Sequence, residues 1–92
     1  MPEFRPDHAV PAETVAALVL YVRHGCHLCD QFLVDLSLEL GPAIERLQLV
    51  DVDSDADLAM RYGLRVPVLA LGDEPICEAV LDPCRLRDVL GL

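Results

Sequence analysis

The sequence predicts a single α/β domain whose elements follow the order β-α-β-α-β-β-α. A chain of 92 residues is long enough for one hydrophobic core and too short for two. Apolar residues make up 53% of the chain and charged residues 25%, which is the balance of a globular domain. Short apolar runs of strand length alternate with stretches of helical periodicity, and this alternation indicates an α/β fold.

The N-terminal arm, residues 1–16, shows no apolar period. It contains three prolines, Pro2, Pro6 and Pro11. Proline restricts the backbone and removes a hydrogen-bond donor, so we expect this arm to be irregular and partly disordered up to about Ala12. The domain proper is predicted to span residues 17–92.

Residues 17–22 form the first predicted strand, because a short, continuously apolar run suits a strand that is covered on both faces. A turn at residues 23–25 leads into a predicted helix at residues 26–40. The apolar side chains of this helix recur at helical spacing and are Cys29, Phe32, Leu33, Leu36 and Leu40. Gly41 and Pro42 are expected to end or kink the helix.

Residues 47–52 alternate between apolar and polar side chains, which predicts a second strand. Asp53 or Ser54 is the expected N-cap of a following helix of about two turns. Short polar side chains at this position accept a hydrogen bond from the unpaired N–H groups of the first turn. The helix is predicted to close at Gly63, because glycine is favoured where a helix ends.

Two further strands and a last helix complete the predicted fold. Residues 66–71 and 76–80 form a hairpin around a turn at residues 72–75. The last helix is predicted from Asp82 as its N-cap and from Pro83 in its first turn, where proline removes no helical hydrogen bond. Its inward face consists of three aliphatic side chains, Leu86, Val89 and Leu90.

The formal net charge of -9 argues against several classes of partner. Sixteen acidic residues stand against seven arginines, and the chain contains no lysine. Nucleic acid and membranes are therefore not expected as partners, because phosphate-rich surfaces require a basic face. The longest apolar run near the start, residues 15–22, is too short for a membrane span and has no basic flank that would make it a signal peptide. We therefore expect a cytoplasmic protein.

The motif C-H-L-C at residues 26–29 lies where the first strand leads into the first helix. At a helix N-terminus the unpaired N–H groups and the helix dipole stabilise a thiolate, as would the charge of Arg23 and any proton on His24 or His27. We therefore expect a lowered pKa for the Cys26 thiol, which makes it the attacking group. Cys29 lies one turn deeper on the buried face and is expected to resolve the mixed disulfide. No bound cofactor is expected.

Three parts of the sequence resemble a known family: L-Y-V-R-H-G-C-H-L-C at residues 20–29, R-Y-G-L-R-V-P-V-L at residues 61–69, and the terminal helix. They are similar to the thioredoxin superfamily, and specifically to small glutaredoxin-like proteins of bacterial type. The resemblance implies a thioredoxin-like fold, in which a four-stranded mixed sheet is flanked by helices. It also implies thiol-disulfide oxidoreductase activity by a monomer toward a disulfide-bearing protein or a glutathione-type small thiol.

Five residues are candidates for substrate binding, namely Arg23, His27, Arg65, Val66 and Pro67. The resemblance implies this role for Arg23, Val66 and Pro67, whereas His27 is a candidate because it flanks Cys26, and Arg65 because it replaces the family's usual threonine and could bind an anion or simply be a surface residue. The Val66-Pro67 bond matches a bond that is cis in the family and faces the cysteine pair, which implies a substrate-docking edge. Arg23 matches a lysine that contacts glutathione in glutaredoxins. The glycine pair that precedes the last helix of glutaredoxins is replaced by V-L-D at residues 80–82, so we expect weak use of glutathione.

Two alternatives compete with redox exchange, and within redox exchange a sensing subunit that cycles its disulfide without a fast partner is not distinguished from an oxidoreductase by the sequence. Cys26, Cys29, Cys77 and Cys84 are sufficient in number to hold a metal ion, but the spacing of the second pair is not that of a zinc site, and we expect no metal. The other alternative is a thioredoxin-fold module that docks a partner without turnover. Cys77 is expected to pack as a small apolar side chain. Cys84, in the first turn of the last helix, is a candidate regulatory thiol.

Overall fold

The computed structural model describes residues 12–91. Within this range the helices are α1 (Ala12–Ala16), α2 (His27–Leu40), α3 (Ala56–Tyr62) and α4 (Pro83–Leu90). The strands are β1 (Leu18–Val22), β2 (Gln48–Asp51), β3 (Val68–Leu71) and β4 (Glu74–Glu78), and two 3-10 helices, Gly41–Arg46 and Val52–Ser54, flank β2. None of these helices is long and apolar enough to cross a membrane. The disorder predicted toward the start of the chain concerns residues 1–11, which lie outside the described range.

The strands form one mixed sheet in the order β2-β1-β3-β4. β1 and β2 are parallel and are joined through α2, which provides the crossover that a parallel pair requires. β3 runs antiparallel to β1 and forms a hairpin with β4. The predicted α/β class and the predicted order of elements from the first strand onward are confirmed.

The register of the sheet brings four chain segments to one end. Val22, the last residue of β1, pairs with Asp51, the last residue of β2. Tyr21 pairs with Val68, the first residue of β3, and Val68 pairs with Glu78, the last residue of β4. The segments after β1, β2 and β4 therefore meet the segment before β3. This end is called the cysteine end below and consists of residues 23–29, 52–55, 63–67 and 78–82.

α2 buries one apolar stripe, most of which lies in the larger of the two hydrophobic clusters, called the main core below. Its buried residues are Cys29, Phe32, Leu36 and Leu40, which confirms the predicted helical face. Leu33, predicted on the same face, is half-buried at the border of the core. The helix ends at Gly41, whose φ of 61° is readily accessible only to glycine.

α1 lies within the segment predicted to be irregular, and that prediction is wrong for residues 12–16. The helix has five residues, too few to display an apolar period. Its Val15 is completely buried in the main core together with Leu18 and Leu40. Such a short helix is not stable by itself, so tertiary burial supplies the stabilisation that local propensity lacks.

The N-cap of α3 is Asp55, and not Asp53 or Ser54 as predicted. The Asp55 carboxylate accepts a hydrogen bond from the backbone N–H of Asp57 at 2.8 Å. Asp53 and Ser54 belong instead to the 3-10 helix that follows β2. Aspartates occupy every second position of residues 51–57, and each suits a cap, so the local sequence does not choose among them.

The β3-β4 hairpin is tighter than predicted. Its turn consists of Gly72 and Asp73, and Gly72 adopts a φ of 61°. β4 runs from Glu74 to Glu78, two residues earlier than predicted. Pro75 therefore lies inside a strand, where it is tolerated because β4 is at the edge of the sheet and pairs on one side only.

α4 begins as predicted. The Asp82 carboxylate accepts hydrogen bonds from the backbone N–H groups of Cys84 at 3.1 Å and Arg85 at 3.2 Å, and Pro83 occupies the first turn. The helix N-terminus is thus satisfied by a charged side chain, which also suits the helix dipole. The inward residues are Leu86, which is buried, and Val89 and Leu90, which are half-buried.

The core has two parts on opposite faces of the sheet. The larger part, the main core, contains Leu20 and Leu69, which are paired in the sheet, and also three buried residues of α2, Phe32, Leu36 and Leu40. The smaller part contains Val68 and Tyr62, with Tyr21 packed against them. Successive strand residues point to opposite faces of the sheet, so Leu20 lies in the larger part of the core and its neighbour Tyr21 lies against the smaller part. The rings of Tyr21 and Tyr62 stack with their centroids 4.5 Å apart.

Candidate active site

Cys26 and Cys29 lie at the N-terminus of α2 and are joined by a disulfide bond. Their Cα atoms are 5.2 Å apart, because residues three positions apart share one face of a helix. The backbone N–H of Cys29 donates a hydrogen bond to the Cys26 Sγ at 3.0 Å. Cys26 is half-buried, whereas Cys29 is only 4% exposed. Cys26 is therefore the cysteine that solvent reaches, and its sulfur has a donor at the helix N-terminus.

The turn between β1 and α2 sets the position of Cys26. Gly25 has a φ of 76°, a conformation that favours glycine. The backbone N–H of Cys26 donates to the Arg23 carbonyl oxygen at 3.2 Å. His24 and His27 are exposed on either side of Gly25 and Cys26. The turn thus places two imidazoles at the surface beside the cysteine pair.

The Arg23 side chain connects this turn to two other segments of the cysteine end. Its Nε and Nη2 donate to the two carboxylate oxygens of Asp53 at 3.0 and 2.9 Å. Its Nη1 donates to the carbonyl oxygen of Gly63 at 3.0 Å. The hydrogen-bonded guanidinium holds the pKa of the Asp53 carboxyl below its usual range, so this carboxylate is charged at neutral pH. Each of the three nitrogens of the Arg23 guanidinium therefore donates a hydrogen bond to an oxygen of the protein itself.

Gly63 allows Arg23 to approach the end of α3. It is buried, and a Cβ atom at this position would lie 2.4 Å from the Ala59 carbonyl oxygen and 2.9 Å from the Arg23 Nη2. Its φ of -54° is a helical value that any residue adopts. Glycine is therefore required here by close packing and not by backbone conformation.

The Val66-Pro67 peptide bond is cis. β3 begins directly afterwards at Val68, two residues later than predicted. Pro67 is fully buried and Val66 is half-buried. The Pro67 carbonyl oxygen accepts a hydrogen bond from the backbone N–H of Ala79 at 2.9 Å, which ties this segment to the one that follows β4.

Arg65 makes a second internal ion pair at the cysteine end. Its Nε donates to Glu78 Oε1 at 3.2 Å, and its Nη2 bonds to the other oxygen of the same carboxylate. Its Nη1 donates to the Arg61 carbonyl oxygen at 3.3 Å. The guanidinium also lies 5.4 Å from the centroid of the buried Tyr62 ring. The hydrogen bond from Arg65 lowers the pKa of Glu78, so the pair is charged at neutral pH.

Ala79 adopts a φ of 66°, and within residues 12–91 it is the only residue other than glycine with a positive φ. In this left-handed region Cβ lies too close to the following carbonyl oxygen, at a cost of roughly 1–2 kcal/mol. Two hydrogen bonds hold the segment: from Ala79 N–H to the Pro67 oxygen, and from Val80 N–H to the Glu78 oxygen at 2.6 Å. The strain is thus retained by the contacts of the cysteine end.

We expect Ala79→Gly to raise the free energy of unfolding by about 0.5–1 kcal/mol. Removal of the Cβ relieves the left-handed strain, and this gain exceeds the cost of glycine's greater freedom in the unfolded chain. Urea denaturation of the two proteins measures the difference. Ala59→Gly, within α3, is the matched control and should lower stability by about 1 kcal/mol. A comparable loss in Ala79→Gly would contradict the prediction.

The two remaining cysteines are free thiols at different depths. Cys77 is buried in the main core, as predicted, and its Sγ lies 3.9 Å from the Asp82 carbonyl oxygen. Cys84 is exposed in the first turn of α4. Among residues 12–91, no group of three or more His, Cys, Asp or Glu side chains is arranged to hold a metal ion.

Comparison with known proteins identifies the family. Residues 17–91 match the family model described as Glutaredoxin-like domain (DUF836). The chain belongs to this glutaredoxin-like family. The family match and the joined cysteines at a helix N-terminus indicate a thiol-disulfide redox role for this glutaredoxin-like domain.

Two solved structures are similar to this glutaredoxin-like domain. The X-ray structure of protein XcR50 from X. campestris is 39% identical, with a TM-score of 0.62, over 82% of this chain and 96% of that chain. The solution NMR structure of protein Ne2328 from Nitrosomonas europaea is 34% identical, with a TM-score of 0.63, over 80% of this chain and 85% of that chain. No curated protein shows a significant match.

The fold of this glutaredoxin-like domain brings the predicted site residues to the cysteine end, namely Arg23, Cys26, His27, Cys29, Arg65, Val66 and Pro67. Cys84 lies in the first turn of α4, two residues beyond Asp82, the last residue of the cysteine end. Sequence reasoning missed the contacts of four residues there, Asp53, Gly63, Glu78 and Ala79. Asp53 looks like any helix cap and Glu78 like any exposed strand residue, so only the register of the sheet reveals their arginine partners.

Proposed function

We propose that this domain is a thiol-disulfide oxidoreductase in which Cys26 attacks a disulfide of the partner and Cys29 resolves the mixed disulfide. The asymmetry of the pair is the main support. Cys26 is half-buried and its sulfur accepts a hydrogen bond from an N–H group at the helix N-terminus, whereas Cys29 is buried. A donor to the sulfur stabilises the thiolate, which is the nucleophile in disulfide exchange.

The proposed exchange takes place in two steps. The Cys26 thiolate attacks one sulfur of the substrate disulfide; a mixed disulfide forms, and the other substrate sulfur leaves as a thiolate that takes a proton from water. Cys29 then loses its proton to water and attacks the Cys26 sulfur, which forms the internal disulfide and releases the first substrate sulfur as a thiolate that takes a proton from water in turn. The substrate gains two electrons and two protons, the cysteine pair is oxidised, and an external thiol donor must reduce it before the next turnover.

The Val66-Pro67 segment is the proposed docking edge for the substrate. The half-buried Val66 would contact the substrate, the fully buried Pro67 would support it, and His27 is exposed beside the nucleophile. The support is positional, because the start of β3 and the N-terminus of α2 share the cysteine end. Arg23 and Arg65 are also proposed as residues of the substrate site, where their role is to hold this edge in position. Arg23 bonds to Gly63 and Arg65 to Glu78, on the two sides of the docking edge along the chain.

Exposed apolar side chains favour a polypeptide partner. At the cysteine end Leu28 is 50% exposed, Leu64 99% and Val80 69%. Apolar side chains grouped around a reactive group are typical of a surface that a protein partner covers. We therefore infer a disulfide-bearing polypeptide as the substrate in preference to a glutathione-type small thiol.

The proposed reaction needs one chain and no bound cofactor, because the exchange takes place between sulfur atoms alone. The free thiols of Cys77 and Cys84 favour a reducing compartment such as the cytoplasm, where they are not drawn into disulfides. Cys84 is proposed as a regulatory thiol, since it is an exposed free thiol two residues beyond the cysteine end.

Redox titration of the wild-type protein tests the proposal. The protein is equilibrated in thiol-disulfide buffers of graded potential, its free thiols are alkylated, and the labelled cysteines are counted by mass spectrometry. We expect Cys26 and Cys29 to be oxidised and reduced together, and the reduced protein to convert an equimolar peptide disulfide to thiols.

Cys84→Ser is the control and should titrate as the wild type does. The proposal fails if the reduced protein leaves the peptide disulfide intact. Stoichiometric binding of zinc by the reduced protein in that case would favour the metal-binding alternative.

A further inference from the structure

Both arginines of the cysteine end are neutralised by carboxylates of the protein itself. Arg23 donates two hydrogen bonds to Asp53, and Arg65 bonds to both oxygens of Glu78. These are paired contacts of the kind by which a guanidinium otherwise recognises a carboxylate of a ligand. An anionic ligand at this end must therefore displace an internal carboxylate before it gains either guanidinium.

Two of the three helix N-termini at this end, those of α3 and α4, are also occupied by carboxylates, whereas the N-terminus of α2 donates to the Cys26 sulfur. Asp82 accepts the N–H groups of Cys84 and Arg85 at the start of α4, and Asp55 accepts that of Asp57 at the start of α3. These backbone donors are therefore not available to an anion. With four carboxylates and two guanidinium groups, the cysteine end carries a formal excess of negative charge.

We propose that Asp53 and Glu78 are specificity-determining residues, which make the Cys26 site disfavour anionic disulfides and favour polypeptide disulfides flanked by neutral or basic residues. This inference rests on the proposed function, since it concerns which disulfide reaches Cys26. The net charge of -9 adds a long-range repulsion of the same sign.

The effect of the two residues is local and separable from the net charge. Charges act over about 8 Å at physiological ionic strength, so a carboxylate at the cysteine end affects an incoming disulfide more than one elsewhere. Asp53→Asn and Glu78→Gln keep an oxygen that accepts from the arginine but leave its positive charge uncompensated. Both ion pairs are exposed at the surface, where such pairs contribute little to stability, so the two variants are expected to fold.

The experiment compares three small disulfides of different charge. Reduced wild-type protein, Asp53→Asn, Glu78→Gln and the double variant are each mixed with oxidised glutathione, which is anionic, hydroxyethyl disulfide, which is neutral, and cystamine, which is cationic. Stopped-flow mixing gives the rate constant for oxidation of the cysteine pair.

We expect wild type to react fastest with cystamine and slowest with oxidised glutathione. The ratio of the glutathione rate to the hydroxyethyl rate should rise about threefold in each single variant and about tenfold in the double variant, and the rise should shrink with added salt.

Glu39→Gln is the matched control. Glu39 also pairs with an arginine, Arg87, at 2.9 Å, but it lies ten residues beyond Cys29 in α2, about 15 Å along the helix axis. The Glu39→Gln variant also removes one negative charge, but far from the cysteine pair, so the ratio of the glutathione rate to the hydroxyethyl rate should stay within about 1.5-fold of the wild-type ratio. Equal ratios in Asp53→Asn, Glu78→Gln and Glu39→Gln, or a wild type that prefers oxidised glutathione, would overturn the inference. A wild type that reacts with none of the three disulfides would instead contradict the proposed function.

Discussion

Cys29→Ser is expected to attack disulfides and then stop at the mixed disulfide, whereas Cys26→Ser is expected to be inert. The donor to the Cys26 Sγ is the backbone N–H of residue 29, so the substitution at Cys29 leaves this hydrogen bond in place. In Cys26→Ser the remaining thiol is 4% exposed, and a substrate disulfide does not reach it. Adduct formation should differ between the two variants by about a hundredfold or more.

Both variants should be made in a Cys84→Ser background, because Cys84 is an exposed free thiol that forms adducts of its own. Each protein is mixed with an activated aromatic disulfide and with a peptide disulfide at neutral pH, and the products are weighed by mass spectrometry. The assigned roles are wrong if Cys26→Ser forms adducts through Cys29 as readily as Cys29→Ser does through Cys26. The Cys84→Ser protein with both active cysteines should accumulate the internal disulfide instead of an adduct.

Gly63→Ala is expected to lower the free energy of unfolding by about 2–3 kcal/mol. The added Cβ would lie 2.4 Å from the Ala59 carbonyl oxygen, which belongs to the backbone of α3, so the end of the helix has to shift. It would also lie 2.9 Å from the Arg23 Nη2 and would displace the guanidinium. The substitution therefore disturbs the link between the Cys26 turn and the end of α3 as well as the stability of the fold.

Denaturation in urea, followed by circular dichroism, measures the loss in Gly63→Ala. Gly91→Ala is the control, because its Cβ would meet nothing within 4 Å and only its φ of 76° opposes the substitution. Gly91→Ala should therefore cost about 1–2 kcal/mol, through backbone strain alone. If Gly63→Ala is as stable as the wild type, the space between Ala59 and Arg23 accommodates a Cβ atom and the prediction is wrong.

The positions of the helices and strands were largely predictable where the signal is local. The apolar stripe of α2 and the capping of α4 by Asp82 depend on residues within a few positions of one another, and both were found as predicted. The cysteine pair was likewise identified from a strand-to-helix junction. The helical structure of residues 12–16 was missed, because it depends on burial of Val15 by distant residues.

The choice among similar residues was not predictable from local sequence. Several aspartates near the start of α3 suit its N-cap, and Asp55 takes this place while Asp53 turns to Arg23. That assignment depends on where β1 and β2 place their ends, which is a property of the sheet. Local propensity is nearly equal for these aspartates, so the tertiary contact decides.

By itself, therefore, the sequence determined the α/β class, the order of elements from β1 onward and the location of the cysteine pair, Cys26 and Cys29, at the junction of a strand and a helix. The tertiary structure alone decided that Arg23 and Arg65 are paired with carboxylates of the protein itself. Arg23 and Asp53 are 30 residues apart, and Arg65 and Glu78 are 13 apart. Helical periodicity and capping reach only a few residues along the chain, whereas these ion pairs form because the strand register places distant segments at one end of the sheet.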